Sequence, residues 1–263
     1  MRKCLSVLAL VCVVTPVAGD TPVTREQIEA FMRTAKVVRQ RDTPSGVTRP
    51  LRLTLSDGAF THDAAFQPID ERKHFFQPDF GKAEMNFVDS WKYNVAAARL
   101  ADLVGLAEMM PVTIEYRHRG KTGALAWWMD SLMNEGERLK KKIAPPDSTA
   151  WNNDMFRQRV FMELVRDVDR NLTNVLISPQ WRLIMIDFTR AFRLAATIRP
   201  LELTRADRAL LAKLEGLSIE AVATATKEYL TSAEVNAVMK RRDLILAHYR
   251  QLVQKLGEAR VLY

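Results

Sequence analysis

The chain has 263 residues, 48% of them hydrophobic and 27% charged, which is enough for one large domain or two lobes with a buried core. Its formal net charge of +8 favours anionic partners such as phosphates, acidic peptides or a membrane surface, and it equally favours simple solubility. Both cysteines, Cys4 and Cys12, lie in a segment that we expect to be cleaved, which excludes disulfides, thiolate nucleophiles and cysteine-bound zinc from the mature protein.

Residues 1–19 have the pattern of a signal peptide. Arg2 and Lys3 make a basic start, an apolar run follows over residues 5–14, and Val17-Ala18-Gly19 provides a small-residue cleavage site. The apolar run is too short to span a bilayer, so we expect export and cleavage rather than anchoring. The mature protein would then be periplasmic or secreted, with a formal charge of +6 because only two basic residues are removed.

Residues 20–45 are predicted to form a helical extension. Thr24-Arg25-Glu26-Gln27 has the form of a capping box, in which the first and fourth side chains satisfy each other's backbone N–H groups at the start of a helix. We expect this helix to run to about Arg39.

Residues 46–129 are predicted to form a small lobe made of a sheet and one long helix. Runs of apolar and β-branched residues predict its strands, which are Arg52 to Leu55, Ala59 to Gln67, Val112 to Tyr116 and Ala124 to Met129. Residues 68–87 are mixed in character and are predicted as a loop. The helix is expected to start at Asp89 or Ser90, and Gly105 suits the left-handed position after its end.

Residues 130–263 are predicted to form a larger, mainly helical lobe. A short β-hairpin over residues 174–187 interrupts the helices, because apolar runs there flank a polar turn. Another helical run is expected from Thr204. A second capping box, Thr231-Ser232-Ala233-Glu234, predicts a long terminal helix that ends near Gly257.

The residues that point most directly to chemistry lie around this hairpin. Asp169 and Asn174 are five residues apart in a short polar segment, and Asp187 follows the second strand. Carboxylate and amide oxygens are the hard ligands that Mg²⁺ prefers, and phosphoryl transfer depends mainly on positioning and charge neutralisation. The spacing predicts that Asp169 accepts the proton of an attacking hydroxyl while Asn174 and Asp187 hold Mg²⁺ or Mn²⁺. Arg170 is predicted to assist Asp169 as a loop-anchoring or phosphate-facing cation.

Plainer explanations compete with this interpretation. Asp and Asn are common in turns, where their side chains satisfy local backbone groups. The four histidines show no metal-ligand spacing, and the sequence has no G-x-S-x-G nucleophile turn. It also has no RNA-recognition, zinc-finger or basic-zipper motif, so nucleic acid is not expected as a partner.

Short motifs between residues 46 and 195 carry a family resemblance. They are Gly46-Val47-Thr48-Arg49-Pro50, Trp91-Lys92-Tyr93-Asn94-Val95-Ala96-Ala97, Trp127-Trp128-Met129-Asp130 and Asp187-Phe188-Thr189-Arg190-Ala191-Phe192. In these motifs and in the order of its elements, the chain resembles the kinase-like superfamily, in particular a group of exported bacterial kinase-like proteins. It is most similar to the phosphatidylinositol 3-/4-kinase and HipA-like branches, whose loops also begin Asp-Arg and whose metal-binding segment reads Ile-Asp. The resemblance implies an α+β, two-lobed protein-kinase-like fold, with a small lobe of sheet and helix and a larger, mainly helical lobe.

The resemblance also implies which residues would bind ATP or a related nucleotide. Gln67 stands where an active kinase has the strand lysine that grips the phosphates, and Asn94 stands where the partner glutamate of that lysine would be. These two amides can hydrogen-bond to each other, but a neutral pair supplies no charge against the phosphates. Trp127 and Trp128 stand where the adenine-binding hinge would be, although large apolar residues on a strand more often belong to a core.

The resemblance is incomplete in the phosphate-binding region. Gly58 is the only glycine between the first two predicted strands, so the usual glycine-rich loop is missing. Lys73, Lys92, Arg99 and Lys121 are candidates for replacing the missing lysine, but solvated surface charges are a sufficient explanation of each.

Three functions therefore stay open. The first is an exported, Mg²⁺-dependent phosphotransferase that uses a nucleotide on a protein, lipid or small-molecule hydroxyl acceptor. The second is a pseudokinase-type module that binds a nucleotide or a protein without catalysis, which the loss of the lysine–glutamate pair and the scarcity of ATP outside the cytoplasm favour. The third is a helical envelope-binding protein with an accidental motif. Retention of Asp169, Asn174 and Asp187 favours the first.

Overall fold

A computed structural model describes residues 24–43, 50–77, 83–169 and 171–263. The predicted signal peptide, most of the Gly46 to Pro50 motif and Arg170 lie outside the described residues. The helices are α1 (Arg25–Thr34), α2 (Trp91–Leu103), α3 (Glu135–Lys141), α4 (Ser148–Val165), α5 (Arg208–Glu215), α6 (Ile219–Ala225), α7 (Ser232–Leu256) and α8 (Glu258–Val261). The strands are β1 (Lys36–Asp42), β2 (Leu51–Ser56), β3 (Thr61–Gln67), β4 (Asp70–Phe76), β5 (Glu84–Ser90), β6 (Thr113–His118), β7 (Lys121–Trp127), β8 (Met133–Asn134), β9 (Val175–Ile177) and β10 (Leu183–Met185). No helix within the described ranges is both long enough and apolar enough to cross a membrane.

The small lobe is built on a five-stranded antiparallel sheet with the strand order β1-β2-β3-β7-β6. Side chains alternate between its two faces. On one face, Leu53 and Leu125 are fully buried in a cluster with Met32 of α1. On the other face, Ala124 packs with Trp91 of α2. The sheet thus lies between α1 and α2.

Two elements of the small lobe differ from the sequence prediction. The first helix ends at Thr34 rather than near Arg39, because Ala35 is extended and β1 pairs along β2 as the edge strand. Residues 68–87 are not a loop, since β4 and β5 form a separate two-stranded ribbon. Its strands are joined by ring packing between Phe76 and Phe87, whose centroids are 4.2 Å apart.

The new edge strand also changes which connection lies between the first two strands. That connection is residues 43–50, which contain Gly46, and not the turn at Gly58. Its base is closed by Thr43, whose Oγ1 and N–H donate to the carbonyl of Pro50 at 2.7 and 3.3 Å. The glycine between the first two strands is therefore Gly46 and not Gly58, and with one glycine in residues 43–50 the usual glycine-rich loop is missing, as predicted.

The helical lobe contains the predicted hairpin. Strands β9 and β10 pair in antiparallel fashion with Leu176 opposite Ile184, and β8 completes a three-stranded sheet. The capping box at Thr231 is present and opens α7, which ends before Gly257. The helical run predicted from Thr204 begins later, at Arg208, where the side chain of Asp207 caps α5.

Helix α2 is fixed to elements on both sides. The Tyr93 hydroxyl donates to the carboxylate of Glu234, the buried capping-box residue of α7. Farther along α2, Arg99 pairs with Glu29 of α1 at 3.2 Å. The helix therefore has a defined position between the sheet and the helical lobe.

A buried carboxylate joins α4 to the hairpin. Asp154 is 1% exposed and accepts hydrogen bonds from Arg182 at 2.8 Å, from the backbone N–H of Leu183 at 3.2 Å and from Arg157. Burial alone would raise the pKa of Asp154, but the bonds from these guanidinium groups and from Leu183 outweigh it and hold the pKa below its usual value.

Asp154→Asn is therefore expected to lower the free energy of unfolding by about 1.5–3 kcal/mol at pH 7, because it removes the buried charged acceptor of these hydrogen bonds. A lowered pKa means that the ionised carboxylate stabilises the fold above the unfolded pKa of about 4, and that this contribution disappears as the pH falls through the lower, folded pKa. Urea unfolding at pH 7 and about pH 3 measures both effects. Glu215→Gln is the control, because its exposed pair with Arg250 should contribute less than about 1 kcal/mol. A difference between Asp154→Asn and the parent that stays constant with pH would contradict the assignment.

Candidate functional site

A chain of hydrogen bonds joins the end of β3, helix α2 and the turn after β10. The backbone N–H of Phe188 donates to Asn94 Oδ1 at 2.6 Å. Asn94 Nδ2 donates to Gln67 Oε1 at 2.7 Å, and Gln67 Nε2 donates to Asp187 Oδ1 at 3.3 Å. The hydrogen bond that the sequence suggested between the two amides is therefore present, and it leads directly to Asp187.

The close approach of β7 fixes the position of Gln67. A Cβ atom on Gly123 would lie 2.6 Å from the Gln67 carbonyl oxygen and 2.8 Å from Cα of Pro68, which is too close for any side chain. Glycine at this position lets the two backbones approach closely, and the Gln67 side chain is itself buried. The amide group is thus held by its backbone as well as by its hydrogen bonds.

Asp187 has an unusual backbone and an unusual electrostatic environment. Its φ of 59° is in the left-handed region, which Asp and Asn tolerate better than most residues. Burial raises the pKa of its carboxyl, and the carboxylates of Asp89 and Asp169 raise it further, against the opposing effect of hydrogen bonds from Gln67 and Thr189. Since neither of those two donors is charged, the site favours a cation.

The predicted base and the predicted amide ligand precede β9, Asp169 in a loop and Asn174 at the end of a short 3-10 helix over Leu172–Asn174. Asp169 is exposed, and its backbone N–H donates to Asp167 Oδ1 at 3.0 Å. The carbonyl of Asn174 accepts a hydrogen bond from the backbone N–H of Ile186 at 3.0 Å, which brings it beside the strand that leads to Asp187. Asp169 and Asn174 both line a cavity of about 140 Å³.

Asp89 is a further acidic residue at this site, and the sequence analysis missed it as a functional candidate. It lies near the end of β5, and its Oδ1 is buried without a hydrogen-bond partner among the described residues. Burial raises the pKa of Asp89, against the lowering effects of a hydrogen bond from Thr189 and of the charge of Arg190, and the charges of Glu71 and Asp169 raise it further. The sequence analysis considered Asp89 only as a possible helix cap, because most of β5 was predicted as loop.

These acidic and amide groups fit a divalent cation that is shared with a phosphate ligand. Among the described residues, no three His, Cys, Asp or Glu side chains are arranged to enclose an ion by themselves. Mg²⁺ does not need such an enclosure, because it commonly keeps water and phosphate oxygens as ligands beside one or two carboxylates. The half-buried Asp187 carboxylate and the Asp89 Oδ1, which has no hydrogen-bond partner among the described residues, are suitable donors.

The two tryptophans lie where the chain leaves the five-stranded sheet, but they face different surroundings. The Trp127 ring stacks on His62 with centroids 3.5 Å apart and also contacts Phe31 of α1. Trp127 is therefore on the α1 face of the sheet, and its contacts favour the core role that the sequence left open. Trp128 instead lies under the guanidinium of Arg52, 4.0 Å from its ring centre.

The segment after Asp187 is held by the helical lobe. Phe192 N–H donates to the carbonyl of Val165 at 2.6 Å. The side chain of Arg241, fully buried on α7, donates to carbonyl groups at 2.8, 2.7 and 3.0 Å, those of Leu164, Arg193 and Ala195. Burial lowers the pKa of Arg241 to about 10, and the charge of Arg166 adds to the effect.

The chain is similar in fold to several solved structures, a kinase among them. A Fam20 protein from hydra, solved with sugar, is 13% identical, with 93% of each chain covered and a TM-score of 0.66. The Golgi casein kinase is 12% identical over 91% of this chain and 79% of its own, with a TM-score of 0.63, and a second structure of it with Mn/ADP bound gives the same values. The chain has a kinase-like fold.

Comparisons at the level of sequence give no closer assignment. No protein-family model matches the chain, and no curated protein sequence does. At 12–13% identity the solved structures establish the α+β, two-lobed fold. The narrower resemblance to the phosphatidylinositol kinase and HipA-like branches stays a prediction.

Proposed function

We propose that the protein is an exported, divalent-metal-dependent phosphotransferase that uses a nucleotide and an acceptor with a hydroxyl group. The observation that carries this proposal is the hydrogen-bonded chain from Asn94 through Gln67 to Asp187, with Asn174 bonded to the neighbouring Ile186, in a fold shared with a kinase solved with Mn/ADP bound. Gln67 and Asn94 connect Asp187 to the small lobe, as a nucleotide site between two lobes requires.

Each residue has a defined part in this reaction. Asp169, exposed at the loop, takes the proton of the acceptor hydroxyl while that oxygen forms a bond to the transferred phosphorus and the bond to the leaving nucleotide breaks. Asn174 and Asp187 would hold Mg²⁺ or Mn²⁺, which when bound neutralises phosphate charge. Arg170 beside the base retains its predicted role as a loop-anchoring or phosphate-facing cation.

A second candidate function is a nucleotide-binding module without catalysis. The observation that favours it is the neutral Gln67–Asn94 pair, which gives the phosphates no positive charge where an active kinase has lysine. Both candidates require nucleotide binding, and they differ in whether Asp169 contributes to turnover.

The net charge and the leader sequence bear on the acceptor and on the location. The basic charge of the mature chain suits a phosphorylated or acidic protein, a lipid head group at a membrane surface, or an anionic small molecule. The leader sequence suggests a periplasmic or secreted protein. Export places any phosphotransfer outside the cytoplasm, where the nucleotide supply is limiting.

Nucleotide together with Mg²⁺ or Mn²⁺ is expected to raise the melting temperature of the mature protein, residues 20–263. A ligand that binds only the folded state stabilises it by about 2.7 kcal/mol at a concentration about a hundredfold above its Kd. Differential scanning fluorimetry with nucleotide alone, metal alone and both together measures this effect. A rise in melting temperature that occurs only when nucleotide and metal are present together supports the proposal. Absence of stabilisation with every nucleotide and metal pair would contradict both candidate functions.

A further inference from the structure

The face of the sheet that turns toward the site can be identified from strand register. Gln67 on β3 points to Asp187, and side chains at alternate positions share a face, so Asp63 and Ala65 lie on the same side. Arg52 of β2 is opposite Ala65. Its contact with Asp63 shows that it lies on that side as well.

This face carries a charged network at the end nearest the connection between the lobes. Arg52 Nε donates to Asp63 Oδ2 at 2.6 Å, and Arg41 Nη2 donates to the same oxygen at 2.8 Å. Thr54 donates to Asp63 Oδ1. The backbone N–H of Trp128 donates to the Asp63 carbonyl at 3.1 Å, which places this network beside Trp128.

Arg52 is fixed in place and still accessible. Its guanidinium stacks over the Trp128 ring at 4.0 Å, and its side chain is 33% exposed. Nη1 of Arg52 makes no hydrogen bond within the described parts of the chain. Arg52 therefore presents free N–H donors from a preorganised planar group.

The same network offers few acceptors. Both oxygens of Asp63 are already engaged, Oδ2 by the two arginines and Oδ1 by Thr54. A ligand group at this end of the cleft therefore meets hydrogen-bond donors. A group that carries hydrogen-bond acceptors complements them. Among nucleotide bases, guanine and uracil present carbonyl oxygens, whereas adenine and cytosine present an amino group at the corresponding position.

We propose that Arg52 determines base specificity and that the cleft prefers nucleotides with an oxo base, guanine or uracil, over those with adenine or cytosine. This inference rests on the proposed nucleotide-binding function. A well-placed pair of hydrogen bonds from arginine discriminates between bases by roughly five- to a hundredfold. The Trp128 ring supports Arg52 by stacking on one face of its guanidinium.

The test is isothermal titration of the mature protein with GDP, UDP, ADP and CDP in the presence of Mn²⁺. The parent is expected to bind GDP or UDP roughly five- to a hundredfold more tightly than ADP or CDP. In Arg52→Gln the preference should fall to less than about threefold through weaker GDP or UDP binding, with ADP affinity unchanged. Arg52→Lys should also lose the preference, because lysine keeps the charge without the planar donor fork.

Arg117→Gln is the matched control. Arg117 is exposed on the other edge strand, β6, and its replacement makes the same change of charge in the same sheet without touching Arg52. Asp63 keeps Arg41 and Thr54 in the Arg52 variants, and thermal unfolding without ligand checks that they fold. Equal affinity of the parent for all four diphosphates, or an unchanged preference in Arg52→Gln, would overturn this inference alone. Failure of the parent to bind any of them would overturn the proposed function as well.

Discussion

Asp187→Asn is expected to abolish the metal-dependent part of nucleotide binding while the protein stays folded. Asparagine removes the charge that holds a divalent cation, yet its Oδ1 can still accept the hydrogen bonds from Gln67 and Thr189. Asparagine also tolerates the left-handed backbone at this position, which alanine would not. The substitution therefore isolates the charge from the conformation.

The stability of this variant gives an independent check. Because the pKa of Asp187 is raised, the folded protein holds this proton more tightly than the unfolded chain, and the ionised carboxylate lowers stability as the pH rises above about 4. Without ligand at pH 7, Asp187→Asn should be at least as stable as the parent. The expected change in the free energy of unfolding is opposite in sign to that of Asp154→Asn, for which the lowered pKa of Asp154 predicts destabilisation.

Calorimetric titration with nucleotide, in Mg²⁺ or Mn²⁺ and again with a chelator, measures the metal-dependent part. The parent should lose affinity when the chelator is added, and the variant should show the weaker affinity under both conditions. Asp243→Asn, an exposed position on α7, serves as the control for loss of one negative charge. A variant with the full metal dependence of the parent would remove Asp187 from the metal site.

Asp169→Asn is expected to reduce turnover at least about a hundredfold, because a positioned general base typically contributes roughly 10²–10⁴-fold. Nucleotide affinity should change little, since the proposed role of Asp169 is toward the acceptor hydroxyl. Its hydrogen bonds to Asp167 and Asn171 use backbone atoms and are kept in the variant. The free energy of unfolding should therefore stay close to that of the parent.

Nucleotide hydrolysis and autophosphorylation by purified mature protein, over a panel of nucleotides and metals, measure this effect. Turnover in the parent that survives in Asp169→Asn would mean that another group is the base. If the parent binds nucleotide without turnover and Asp169→Asn binds it equally well, the non-catalytic module is the correct function. The Asp187 and Asp169 variants together thus separate binding from chemistry.

Helices and strands were predicted correctly where the apolar pattern agreed with the residues that mark the ends of an element. The hairpin of β9 and β10 is an example, because two apolar runs flank the polar turn at Ser178. The ribbon of β4 and β5 was missed because β4 is exposed along nearly its whole length and lacks the alternation of a half-buried strand. Strand β1 was missed because it follows a well-capped helix after a single extended residue, Ala35.

The site was predictable only in part for a similar reason. Asp169, Asn174 and Asp187 are near one another in sequence, and Gln67 and Asn94 followed from the family resemblance. Strand pairing places Arg52 on the sheet face that carries Gln67, and a slip of one residue in register would turn Arg52 to the opposite face. Sequence alone does not specify that register, so the position of Arg52 required the fold.

The anchoring of the segment after Asp187 has a consequence for the entropy of binding. The backbone N–H of Phe192 donates a hydrogen bond to the Val165 carbonyl, and the Arg241 side chain donates to the carbonyls of Arg193 and Ala195. The chain has therefore lost its conformational freedom here during folding. A ligand that reaches Asp187 meets an already ordered segment, and its affinity is not reduced by the ordering of a mobile loop.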